Sequence, residues 1–133
     1  MQAKLNKQGA FNIVNETRGS VPRFAYEQIK DTVLGKHYDL TMIVTNQARM
    51  KRLNTIYRDK ESATDILSFP LSKNEGEIYI CPSETKKEAK KFERTYENFF
   101  AYLFIHGCTH LKGHDHGAIM ESIEARIRQK FGV

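Results

Sequence analysis

The sequence predicts an α+β fold: a small mixed four-stranded sheet, mostly parallel with one antiparallel edge strand, covered by about five helices. Three observations carry this expectation. In the first third of the chain, short β-rich runs flank a segment of helical periodicity, which is the pattern of a parallel crossover unit. Two further β-rich runs then follow one another across a short polar turn, as in an antiparallel hairpin. The rest of the chain reads as successive helices, one of which runs into a cluster of histidines.

Residues 1–9 are polar and carry no pattern. Phe11-Asn12-Ile13-Val14-Asn15 alternates partly and predicts a first strand. Ser20 is a candidate cap, with Pro22 near the start of a helix whose apolar stripe is Phe24, Tyr26, Ile29, Val33 and Leu34. Gly35 ends it. Leu40–Val44 is a second strand. Asn46 caps a short helix from Gln47 to about Tyr57, with Met50, Leu53 and Ile56/Tyr57 towards the core. Ala63–Pro70 predicts a third strand ended by Pro70. After the turn Ser72–Gly76, Glu77–Cys81 predicts a fourth strand, placed at the edge of the sheet. Ser83–Lys86 opens a helix, Tyr96–Ile105 another. Gly117 to Phe131 is the last, with Ile119, Ile123 and Ile127 along one side, beside Met120 and Phe131.

Composition bounds the function. A length of 133 residues suits one domain, residues 1–133, with one real core. Cys81 and Cys108 are the only cysteines, which does not suggest a disulfide framework and fits a reducing, cytoplasmic setting. No apolar run is long enough to span a membrane, and the N-terminus has no signal pattern. The net charge of +5 leans towards polyanionic partners. Basic residues cluster at Arg49, Lys51 and Arg52, and again at Lys86, Lys87, Lys90, Lys91 and Arg94. Each cluster is either a path for a nucleic-acid backbone or a solvated face.

The densest chemistry lies between His106 and His116, which holds four of the five histidines. His106 and His110 are one helical turn apart and share a face. Gly113 stops the helix, and the chain can then return His116 towards the first two rings. Three neutral imidazoles converging on one point form a first shell for zinc or a similar divalent ion. Three protein ligands leave one tetrahedral position open, the catalytic rather than the structural arrangement. The spacing equals that of the metzincin metal helix, but metalloproteases carry a general-base Glu directly after the first His. Here that position is Gly107, which argues against peptide hydrolysis. His114 is either a fourth ligand that closes the site or a ring pointing away. Asp115 either orients a ligand imidazole or caps the following helix. Cys108 faces away from the histidines and reads as a small buried side chain.

Together these residues resemble the YbeY family, bacterial rRNA maturation factors and single-strand-specific, metal-dependent endoribonucleases. The family motif H-G-x-x-H-L-x-G-x-D-H matches His106 to His116 at every fixed position. Upstream matches are Leu53-Asn54, Tyr57-Arg58 and Thr64-Asp65-Ile66-Leu67-Ser68-Phe69-Pro70. Gly76–Pro82 matches less well, with Glu77 where the family usually has Asp. The resemblance implies that His106, His110 and His116 are zinc ligands and that Arg58 is the functional arginine of the cleft. It implies that His114, commonly Tyr in the family, is not a ligand. It also implies a role at the 3′ end of the small-subunit (16S) rRNA and in ribosome quality control, with the small subunit and assembly factors as partners. Two other classes stay open: a metal hydrolase of another substrate, and a ribosome-assembly binding protein with a structural zinc. The second of these would use His114 to close the site.

Overall fold

The structure, a computed structural model, describes residues 9–58 and 64–133. Among these residues the elements in order are β1 (Phe11–Asn15), α1 (Tyr26–Leu34), β2 (Asp39–Val44), α2 (Gln47–Arg58), β3 (Ile66–Ser72), β4 (Glu75–Ile80), α3 (Pro82–Lys91), α4 (Tyr96–Leu111) and α5 (Ala118–Phe131). The strands form one sheet in the order β1-β2-β4-β3. β1, β2 and β4 are parallel, and β3 is antiparallel to β4. This is the expected α+β class, a mixed sheet with one antiparallel strand at its edge.

The alternation of side chains sorts the core into two layers. Leu40, Met42 and Val44 of β2, with Ile78 and Ile80 of β4, face α1 and α4, where Ile29, Phe100, Phe104 and Ile105 complete the main cluster. Ile43, Leu67, Tyr79 and Cys81 face the other way, against Met50 of α2. The metal helix α4 therefore lies on one face of the sheet and the basic helix α2 on the other. α4 starts at Thr95, whose hydroxyl accepts the Asn98 amide at 3.1 Å. It ends at Leu111, and two residues on, Gly113 turns the chain with a positive φ of 108° that suits glycine. Its Phe99, Phe100, Leu103, Phe104, Ile105 and Cys108 are all buried. Each large apolar side chain so buried contributes about 1.5–3 kcal/mol, which makes α4 a rigid mount for the histidines at its end.

Several expectations need correction. Of the hairpin strands, β4 is central and β3 is the edge. Ile78, Tyr79 and Ile80 are buried consecutively, which requires cover on both faces. β3 also runs through Pro70 instead of ending there, with a register irregularity between Pro70 and Ser72. A proline cannot donate to a ladder, but an edge strand tolerates one. α1 begins at Tyr26, later than Ser20 and Pro22 suggested. Val21 and Phe24 instead pack on the core from a non-helical segment, and the Tyr26 hydroxyl donates back to the Pro22 carbonyl at 2.5 Å. The apolar stripe of α1 faces inwards throughout, but on α2 and α5 only part of it does. Met50 is fully buried, while Ile56 and Tyr57 are 63% and 65% exposed. On α5 the inward face is set by Met120 and Glu124, and Ile119, one residue round the helix, is 73% exposed. α3 stops at Lys91, short of Arg94.

Candidate metal centre

Two structural devices bring His106, His110 and His116 together. α4 places the first two rings one turn apart, with centroids 4.7 Å from each other. The turn at Gly113, where its amide donates to the His110 carbonyl at 2.9 Å, reverses the chain. His116 then lies 5.1 Å from His106 and 4.7 Å from His110, centroid to centroid. One ring nitrogen from each histidine lies within 4.8 Å of the others, so the three can hold a metal ion. The donor set fits a borderline ion such as zinc, which takes imidazole nitrogens at about 2.0–2.1 Å. Burial, and then the neighbouring His106 and His116, hold the His110 pKa below the usual histidine value. This shift favours the neutral ring, the form that binds metal.

A carboxylate fixes the first ring. Glu124 on α5 lies 2.7 Å from His106 Nδ1. A buried carboxylate accepts, so Nδ1 carries the proton and the lone pair is left on Nε2 for an ion. Arg128, one turn further along α5, stands 3.6 Å from the other Glu124 oxygen and lies over the Tyr102 ring at 4.9 Å. Sequence reasoning missed Glu124. The available signal was an acidic residue four after Met120, on the inward face of an otherwise amphipathic helix. Asp115, the residue expected in this role, is exposed on the wall of the cleft, and no bond from it to a histidine ring is found among the described residues. It does not cap α5 either, whose N-cap is Gly117, with no side-chain cap bond.

His114 does not join the three-nitrogen group; its backbone amide bonds the Thr109 carbonyl at 3.3 Å. Cys108 is fully buried and stands outside the three-histidine group, and burial pushes its thiol pKa up.

The histidines open onto a cleft of about 430 Å³ whose opposite wall is β3, from Ile66 to Pro70. Gly107 lets α4 approach that wall. A Cβ placed there would stand 3.0 Å from Ile66 Cδ1, Ile78 Cδ1 and Ser68 Oγ. The position that holds a catalytic Glu in metalloproteases is here filled by sheet packing.

Among the described residues, the two basic clusters do not line this cleft. Lys51 and Arg52 are exposed on α2. Arg49 pairs with Glu16 at 2.9 Å. On α3, Lys87 pairs with Glu84 at 3.2 Å and Lys91 with Glu88 at 2.8 Å. Lys86 lies over the Tyr96 ring at 5.0 Å, near the start of α4 and away from the histidines, and Lys90 is exposed. Arg58 closes α2, and its side chain lies outside the described part of the structure.

The family model for Endoribonuclease YbeY matches residues 5–132. The chain belongs to the YbeY endoribonuclease family. It is 38% identical over 114 residues to Endoribonuclease YbeY of Sulfurimonas denitrificans, covering 80% of this chain and 81% of the relative. It is 36% identical over 120 residues to that of Solibacter usitatus, with coverage of 87% and 80%. The solution structure of TM1509 from Thermotoga maritima superposes with a TM-score of 0.68 at 26% identity, covering 92% of this chain and 90% of that one. Membership in the YbeY family makes this a nuclease, a hydrolase acting on RNA. No helix among the described residues is long and apolar enough to cross a membrane.

The Glu124 contact at this YbeY site gives a measurable expectation. Glu124→Ala lowers metal affinity by about 10–100-fold, the usual effect of losing an outer carboxylate. Glu124→Gln, which still accepts from Nδ1, loses less. Competition titration against a chromophoric chelator reads both, and wild-type affinity in the Ala variant would remove Glu124 from this role.

Proposed function

We propose that this chain is a metal-dependent, single-strand-specific endoribonuclease of rRNA processing, acting at the 3′ end of 16S rRNA and in ribosome quality control. We place it in the cytoplasm as one domain, residues 1–133, with the small ribosomal subunit and its assembly factors as partners. The observation that carries this reading is the convergence of three imidazole nitrogens at the mouth of a cleft, without the glutamate that peptide hydrolysis needs.

His106, His110 and His116 would hold one zinc ion. When bound, such an ion polarises a phosphoryl oxygen and lowers the pKa of water. The chain's own residues do the rest. Glu124 keeps the His106 proton on Nδ1 and so aims Nε2 into the cleft. β3 and Leu111 form the wall of the cleft that faces the histidines. Arg58 would hold the scissile phosphate and offset charge that develops on it. Among the basic residues, Lys51 and Arg52 are the better candidates to guide the RNA backbone, because Lys87 and Lys91 are already paired along α3. Asp115, which lines the cleft, would act on water or substrate rather than on a ligand ring.

The test is cleavage of a labelled single-stranded RNA by metal-analysed protein. Arg58→Ala should keep its metal and lose on the order of 10²-fold in cleavage rate, the size of one lost charge-stabilising donor. A metal-loaded Arg58→Ala variant with the wild-type rate would exclude Arg58 from the chemistry. A metal-loaded wild type that leaves single-stranded RNA intact would reject the ribonuclease reading for free RNA.

A further inference from the structure

On the face of the sheet away from the histidines, three aromatic rings follow one another outwards. Tyr79 is buried against α2, Phe69 stands against it at 5.7 Å, and Tyr57 meets Phe69 at 5.2 Å. Arg49 covers the inner end, 5.7 Å from the Tyr79 ring. Tyr57, at the outer end, is 65% exposed, as is much of Leu71 beside it. Between them lies a groove of about 290 Å³ bordered by Leu53, Tyr57, Phe69, Pro70, Leu71 and Glu77. The metal site does not use any of these rings.

We propose that this groove is a stacking subsite for an unpaired base of single-stranded RNA, held between Tyr57 and the edge of β3. It rests on the ribonuclease reading above and adds a place for the strand outside the cleft. Three features select this occupant. Lys51 and Arg52 are exposed on the same helix as Tyr57, round it from the groove, where cations suit the flanking phosphates of a strand whose base is held there. Pro70 borders both this groove and the histidine cleft, so a strand crossing the β3 edge passes from one to the other without a break. Glu77 accepts the Tyr79 hydroxyl at 3.1 Å through one oxygen and retains the other to accept from a base amino group. Stacking on an aromatic face tolerates any base, which suits an enzyme that selects for single strands rather than for sequence.

The chain contains no tryptophan, so Tyr57→Trp supplies a lone fluorescent reporter at the subsite. The probes are a cleavage-resistant phosphorothioate RNA of mixed sequence and the same backbone made abasic. The indole should be quenched by the first and not by the second. Tyr57→Leu should bind the base-bearing RNA roughly 10-fold more weakly, as for one lost stacking contact, with abasic binding unchanged. Because Tyr57 is mostly exposed, its unfolding curve should overlay the wild type. Equal RNA affinity of Tyr57→Leu and wild type, while wild type still cleaves RNA, would overturn the subsite and leave the ribonuclease standing. Unchanged RNA affinity combined with lost retention on RNA-free small-subunit proteins would assign the groove to a protein, and also overturn it. A wild type that neither binds nor cleaves RNA would remove the ribonuclease reading, and this proposal with it.

Discussion

His110→Ala abolishes RNA cleavage and lowers metal affinity by more than about 10²-fold, beyond the loss expected for an outer partner. His110 is the middle ligand by geometry, with ring centroids 4.7 Å from both other histidines. Without it, two imidazoles remain, and these do not define a closed tetrahedral face. The fold should survive. His110 is only half-buried and belongs to the last turns of α4, and the buried anchors Phe100 and Phe104 lie one or more turns before it. Metal content by mass spectrometry and unfolding of the metal-free protein separate the two effects. Full metal occupancy in His110→Ala would mean that His114 can take its place. That result would revive a four-ligand, structural site.

Gly107→Glu restores the motif of a metalloprotease and destabilises the protein by about 3–5 kcal/mol, without any peptidase activity. The cause is packing. Even a Cβ would come within 3.0 Å of three atoms of β3 and β4, so the sheet and α4 must separate for a longer side chain. The carboxylate would also be buried against Ile66 and Ile78, where an unpaired charge costs several kcal/mol or is neutralised by a raised pKa. A domain of this size shifts its Tm by roughly 3–5 °C per kcal/mol, so a fall of about 10–20 °C is expected in a thermal melt. Gly107→Ala is the control. Its lost clearance is offset by about 1 kcal/mol of helix propensity, and it should stay close to the wild type. A Gly107→Glu protein as stable as the parent would show that α4 and the sheet part easily.

These two experiments mark what the chain reveals before any fold is known. The histidine triad was legible because its geometry is local: one helical turn plus one glycine turn suffices. The strand and helix sequence was legible for the same reason, since each alternates or repeats within a few residues. Glu124 was not legible, because it meets His106 across 18 residues and only through the packing of α5 on α4. The order of β3 and β4 was misread because both runs are β-rich, and the deciding difference is burial on two faces against one. Ile78-Tyr79-Ile80 had already shown that difference as an unbroken apolar run, and Pro70 had shown its converse. Periodicity alone puts Ile56 and Tyr57 inside, because it cannot tell where a sheet ends and leaves a helix overhanging. The exposure of Tyr57 is the reading of the sequence whose failure matters most, since it frees a ring at the surface.

The proline in β3 bears on how the protein behaves in a crowded solution. A bare sheet edge invites the edge of another molecule, and pairing of that kind grows into aggregates. On this edge, Pro70 offers no amide to an incoming strand and the register breaks between Pro70 and Ser72. The wall of the histidine cleft is thereby kept from zipping onto a second copy.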